Sequence, residues 1–153
     1  MTSETIDIVK QTADELLAQI GLDLSVAVSL EEELVVIQIE TDEPGILIGF
    51  HGKNLESLQN IISQIVFKKT GEWIRLVVNV GDYRERRDKQ LKEMAFEAAA
   101  AVVESKQPVT LADLSSSERR VVHLTLQDHP EVTSSSEGEG LDRRLVVSIR
   151  PVS

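Results

Sequence analysis

The sequence contains no cysteine, which removes disulfides, thiolate metal ligands and cysteine nucleophiles together. Aromatic residues are scarce, with three Phe, one Trp and one Tyr in 153 residues, so any core must be aliphatic. No run approaches the ~18 consecutive apolar residues of a membrane span. The N-terminus, Met-Thr-Ser-Glu-Thr-Ile-Asp, has no basic segment leading into an apolar stretch. The expectation is a soluble, cytoplasmic protein without membrane insertion. His51, His123 and His129 are the only histidines, and neither an HExxH pattern nor paired His/Asp ligand spacing accompanies them. Glycine-framed serine nucleophiles and Walker-type phosphate loops are missing too. Nothing here carries catalysis, a metal or a cofactor, and the expected class is a binding protein rather than an enzyme.

What is present begins with charge. A net charge of −10 argues at first against a polyanionic partner, since like charges repel. The distribution changes that reading. Residues 1–45 hold eleven Asp and Glu against one Lys, whereas residues 46–80 hold four basic and two acidic side chains. Residues 81–153 are nearly balanced, with eleven basic and thirteen acidic. The acidity is concentrated at the start, which leaves room for a locally basic groove.

Hydrophobic periodicity divides the chain at Gly81-Asp82 into two units, residues 1–80 and 81–153. Ile6, Val9, Ala13, Leu16, Leu17 and Ile20 recur at helical spacing before Gly21. Two alternating strands follow, over Leu24–Leu30 and Leu34–Ile39, joined by the turn Glu31-Glu32-Glu33. Pro44 and Gly45 break the second strand, and a short helical turn leads into Gly49-Phe50-His51-Gly52. Leu55, Leu58, Ile61, Ile62, Ile65 and Val66 then mark an amphipathic helix ending near Gly71, and a third strand runs over 74–80. The first unit therefore reads helix–strand–strand–helix–helix–strand. The second opens with a helix over Tyr83–Ser105 and a short strand at Val109–Leu111. A helix capped by Ser115, with Glu118 completing a capping box, comes next. Strands near 132–136 and 144–149 close it as a hairpin.

Gly49 and Gly52 let the backbone approach a ligand without a Cβ in the way. The loop also directs amides of the next helix, whose N-terminus favours phosphate, and Lys53 adds a full charge. Ile48, Leu55 and Leu58 are the expected apolar floor for bases. With the element order, Gly45-Ile-Leu-Ile-Gly-Phe-His-Gly-Lys53 and the residues up to Gln59 resemble a KH domain of the prokaryotic type II arrangement. Such domains clamp about four single-stranded nucleotides. The resemblance implies that Gly49, Phe50, His51, Gly52 and Lys53 touch RNA. Phe50 departs from the polar residue often found there; it can stack on a base, pack inward or contact a protein.

Arg119 and His123 lie at i and i+4 on one helix face, with Arg120 beside them. A guanidinium fork suits phosphate, and an imidazole can donate or stack. A surface Arg and a half-buried His sharing a face is the plain alternative. Ser115-Ser-Ser-Glu-Arg-Arg-Val-Val-His123, within helix–strand–helix–hairpin order, resembles the R-3-H domain of single-stranded nucleic-acid binders. Arg119, Arg120 and His123 carry over as candidates, with Arg143, Arg144 and Arg150 as possible extensions of the surface. Arg84 and Arg87, in the basic start of the long helix, are candidate phosphate contacts, against a reading as a solvated face. The expected fold is thus α+β: a type II KH domain over 1–80 and a small α+β R-3-H domain over 81–153.

This order resembles the bacterial SpoIIIJ-associated (Jag, KhpB) family and spans nearly the whole chain, without the N-terminal Jag domain that members often carry. It implies a cytoplasmic protein binding single-stranded RNA, with single-stranded DNA as a related ligand, that acts as an RNA chaperone or post-transcriptional regulator. It also implies a small KH-domain protein as partner. The rival reading is a protein-interaction scaffold whose KH fold has lost RNA binding, with the acidic first 45 residues as a docking face.

Overall fold

The computed structural model of the protein describes residues 2–152. Its elements are α1 (Ser3–Gln19), β1 (Val26–Glu31), β2 (Leu34–Ile39), α2 (Pro44–Ile48), α3 (Lys53–Thr70), β3 (Leu76–Val80), α4 (Tyr83–Ser105), β4 (Val109–Leu111), α5 (Ser116–Leu126), β5 (Val132–Glu137) and β6 (Arg144–Ile149). Single 3-10 turns lie at Phe50–Gly52 and Gly140–Asp142. The chain separates into two compact units, one ending at Arg84 and the other beginning at Glu85. Both are mixed α+β.

In the first unit β1, β2 and β3 form one sheet in that order. β1 and β2 are an antiparallel hairpin pairing Val26 with Ile39 and Glu31 with Leu34, turned at Glu32, whose φ is 55°. β2 and β3 run parallel, with Val35 opposite Leu76 and Ile39 opposite Val80. A parallel pair needs a long crossover, and α2, the glycine loop and α3 supply it. α1 and α3 pack on the sheet, so Val9, Ala13, Leu17, Val35, Ile37, Ile39, Ile62, Val66, Val78 and Val80 form an aliphatic core. The edge strand β3 is blunted locally, because the amide of Val78 donates to Oε1 of Gln59 on α3 at 3.1 Å. α3 ends on Gly71 in the left-handed region (φ 78°), whose amide bonds the Phe67 carbonyl at 2.7 Å.

In the second unit the sheet order is β4-β6-β5, all antiparallel. β6 is therefore the central strand and not an edge. Leu91, Ala95, Ala98, Ala99 and Val102 of α4 meet Val122 and Leu126 of α5 and Val132, Leu145 and Val147 of the sheet. The small residues of α4 let the neighbouring elements approach closely. The expected capping box is formed: Ser115 Oγ accepts from the Glu118 amide at 3.2 Å, and Glu118 Oε2 accepts from the Ser115 amide at 3.1 Å. No helix among the described residues is long and apolar enough to cross a membrane.

Candidate nucleic-acid interface

The glycine loop has the backbone that its two glycines permit. Gly49 (φ 68°, ψ −171°) and Gly52 (φ 77°, ψ 13°) both occupy positive φ. A Cβ on Gly49 would sit 2.5 Å from Cγ of Asn54. That asparagine is itself fixed, its Nδ2 donating to the Ile46 carbonyl at 2.9 Å, so it clamps α2 to the start of α3. A Cβ on Gly52 would meet the Tyr83 hydroxyl at 3.0 Å. Asn54 and Tyr83 are thus the groups that shape the loop from behind. Neither belongs to the loop's own spacing pattern, and sequence reading missed both.

At the tip, His51 takes the left-handed conformation (φ 52°, ψ 31°). Phe50 is 63% exposed. Its ring stacks on His51 with centroids 3.9 Å apart and planes 25° from parallel, and Lys53 Nζ lies 5.5 Å from its centroid. Inward packing of Phe50, one of the three options for it, is excluded. Among the described residues no side chain caps the N-terminus of α3. Of its leading amides, that of Lys53 bonds the Phe50 carbonyl, and the next ones have no intrahelical acceptor, as at any helix start. An uncapped helix N-terminus beside a lysine attracts an anion.

The expected apolar floor needs correction. Ile48, Leu55 and Leu58 are buried in the core, because the tight α2–loop–α3 turn rotates them inward. An open apolar groove of about 240 Å³ runs beside the loop instead, lined by Leu16 and Ile20 of α1, Ile46 and Leu47 of α2, and Ser57 and Ile61 of α3, among others. Ile46, at 60% exposure, together with Ile20 and Ile61, gives it a hydrophobic surface open to solvent. Leu58, although buried, does line this groove as expected, so the correction concerns Ile48 and Leu55.

In the second unit Arg119 and His123 do project from one face of α5, but the protein already engages both. Arg119 donates Nη1 to the Leu114 carbonyl at 2.7 Å and Nη2 to Ser116 Oγ at 3.1 Å, so its guanidinium ties the start of its own helix. His123 is exposed, and its Nδ1 pairs with Ser134 Oγ at 2.7 Å, an orientation that leaves Nε2 for a ligand. Arg120 is exposed. Arg87 is corrected from a free phosphate contact to a structural ion pair: its Nε meets Glu118 Oε1 at 2.7 Å, with side-chain exposures of 11% and 12%. Arg84 is exposed as a residue, while partial desolvation of its guanidinium lowers its pKa from the ordinary arginine value. It stays charged at neutral pH. Arg143 folds back on its own hairpin, to Ser136 Oγ and the Gly138 carbonyl, each at 3.0 Å, and Arg150 holds the Gln127 carbonyl at 3.2 Å.

Comparison with known proteins agrees with the two folds. Residues 7–80 match the family described as KhpA/KhpB, KH domain, and residues 89–148 match the R-3-H domain. The chain is therefore a KH domain followed by an R-3-H domain. Its relatives include three proteins named RNA-binding protein KhpB. The one from Clostridium symbiosum is 31% identical over 98% of this chain and 67% of its own length. The Lactiplantibacillus plantarum relative is 32% identical, over 93% of this chain and 45% of its own length, and the Bacillus subtilis relative 29% identical, over 80% and 60%. The chain belongs to the KhpB family, and it spans between 45% and 67% of the length of these three relatives.

Proposed function

We propose that this chain binds single-stranded RNA, catalyses no reaction, and acts in the cytoplasm as an RNA chaperone or post-transcriptional regulator. The observation that carries the reading is the Gly49–Gly52 turn, which brings an uncapped helix N-terminus, Lys53 and an open apolar groove together. Phosphates lie against Gly49, Phe50, His51, Gly52 and Lys53, and bases enter the groove over Ile46 and Ile61. In the second domain, His123 Nε2 and Arg120 are the ligand-facing groups; Arg84, the last residue of the first unit, is a separate phosphate contact. Arg119 acts mainly by holding the first turn of α5. The names of the relatives support the RNA assignment. A small KH-domain protein is the proposed partner, because the family matched by residues 7–80 joins KhpA and KhpB in one description.

Binding governed by about four phosphate contacts gives a slope of log K against log salt near −3, since each contact on a single strand contributes about −0.7. Anisotropy of a labelled single-stranded RNA titrated with the intact chain over a range of salt measures it. Absence of retention at low salt overturns the reading and leaves the protein-interaction scaffold in its place.

Arg120→Ala combined with His123→Ala is expected to weaken RNA binding by about 1–3 kcal/mol, through the loss of one charge-assisted bond and one stacking contact. Unchanged affinity in the same titration would assign the RNA to the KH domain alone.

A further inference from the structure

Three of the five Phe, Trp and Tyr residues lie at the two ends of α3. Phe50 stacks on His51 at the N-terminal end, within the loop already described. At the other end Phe67 stacks on Trp73, with ring centroids 4.3 Å apart and planes only 11° from parallel. Trp73 is 67% exposed and Phe67 half-buried. One face of the indole is covered by Phe67, and most of the remainder stands in water although the core of this unit is aliphatic. A helix-closing contact after Gly71 accounts for the covered face. It does not account for a tryptophan that presents so much apolar surface to solvent.

The surrounding charge indicates what the surface fits. Residues 46–80 contain four cations, and only Lys53 is at the glycine loop; Lys68, Lys69 and Arg75 flank the Phe67–Trp73 stack in sequence. Lys69 is committed to Thr12 Oγ1 at 3.1 Å and to Glu15 at 3.6 Å. Lys68 and Arg75 are exposed. Around position 74 the exposure alternates, Trp73 and Arg75 out and Ile74 half-buried, which puts the indole and the guanidinium on the same side of an extended segment. A flat aromatic ring, with an exposed arginine two residues further along the chain and an exposed lysine next in sequence to its stacking partner, is complementary to a nucleobase carrying its phosphate.

We propose that Phe67 and Trp73 form a second stacking platform for single-stranded nucleic acid, at the end of α3 opposite the glycine loop, with Lys68 and Arg75 contacting phosphate. This rests on the RNA-binding reading above and extends it. Phe67 is fourteen residues beyond Lys53 on α3, about 21 Å along the axis at 1.5 Å per residue. The roughly four nucleotides held at a KH loop fill that loop's own footprint. Only a longer strand reaches both ends of the helix.

Trp73 is the single tryptophan, so its emission reports on the platform alone. The test titrates the intact chain with a labelled uridine dodecamer and a labelled uridine tetramer, following label anisotropy and tryptophan emission together. Emission is expected to be quenched as the dodecamer binds. Trp73→Ala should weaken dodecamer binding by about 5- to 100-fold, the effect of one lost base stack, and leave tetramer binding unchanged. Trp73→Phe, which keeps a ring, should recover most of the loss, and that separates stacking from any structural effect of the alanine. If the dodecamer binds by anisotropy while emission and the Trp73→Ala affinity stay at parent values, the platform is overturned and the loop reading stands. If Trp73→Ala spares RNA binding and abolishes self-association seen by sedimentation, the face is a protein contact and the proposal is likewise overturned. Failure of both oligonucleotides to bind removes this inference together with the function on which it rests.

Discussion

Replacing Phe50 and His51 together by Asp is expected to abolish most RNA binding and leave the thermal transition in place. Phe50 is 63% exposed, and its ring stacks on His51 with Lys53 nearby at the loop tip. His51 is also exposed and holds φ 52°, a left-handed conformation in which Asp is among the better tolerated residues. Neither change removes a core contact. Acidic side chains ahead of a helix N-terminus favour the helix dipole, so the fold is not weakened by the charge. The ligand experiences the opposite effect. A carboxylate about 4 Å from a phosphate costs roughly 1 kcal/mol in bulk water and about 4 kcal/mol at the effective dielectric of a protein surface. Two of them raise Kd by at least about 30-fold, at 1.4 kcal/mol per decade. RNA anisotropy at fixed salt, read beside a circular dichroism melt, checks both halves. Parent-like affinity in the doubly substituted chain would remove the loop from the binding surface. Gly52→Asp is a poorer probe. At φ 77°, with Tyr83 3.0 Å from the new Cβ, it strains the loop as well as charging it, and loss of binding would have two causes.

The features legible from the sequence are those set by short-range chemistry. The period-2 and period-3.6 patterns mark the helices and strands, and Ser115 with Glu118 marks the start of α5, because a capping box closes within four residues. The glycine loop is equally local: positive φ at residues 49 and 52 is a property of glycine. What the sequence hides depends on partners far along the chain. Arg87 reads as one cation in a basic cluster, and its partner Glu118 lies 31 residues away. Tyr83 carries no visible sign that it backs Gly52. Ile48 and Ile46 are equivalent apolar residues two apart on a five-residue helix, and only the packed turn decides that Ile48 is buried while Ile46 faces the groove. Trp73 joins the alternation that predicts a strand from residue 74, whereas β3 begins at Leu76. Its stack on Phe67 becomes visible only once α3 has turned back at Gly71. Arg143 and Arg150 likewise look like free surface charge until the hairpin and the end of α5 bring carbonyls to them.

The largest stability effect is expected at Glu118. Its Oε1 pairs with Arg87, and its Oε2 accepts the Ser115 amide, so one carboxylate holds α4 against α5 and completes the cap of α5. Both partners of the ion pair are close to nine-tenths buried, and Nη2 of Arg87 is buried with no hydrogen-bond partner among the described residues. Glu118→Ala therefore leaves a largely buried guanidinium without its carboxylate. Removing one member of a buried pair costs about 3–5 kcal/mol, to which loss of the reciprocal cap adds roughly 1 kcal/mol or less. Glu118→Gln keeps an acceptor for the Ser115 amide and loses the charge, so it should be intermediate. Arg87→Met added to Glu118→Gln removes the stranded charge while keeping the cap. It should recover most of the stability, because a well-packed apolar replacement of a buried pair is often neutral, and the non-additivity across these variants measures the coupling. Trp73 belongs to the first unit, so its emission does not report this loss. Far-UV circular dichroism during denaturant unfolding, or amide exchange across α5, is the measurement that does. A more exposed pair such as Lys92–Asp88 should by contrast contribute little and fade with added salt. If Glu118→Ala unfolds at the same denaturant concentration as the parent, the pair does not hold the R-3-H domain together, and Arg87 returns as a cation available to RNA.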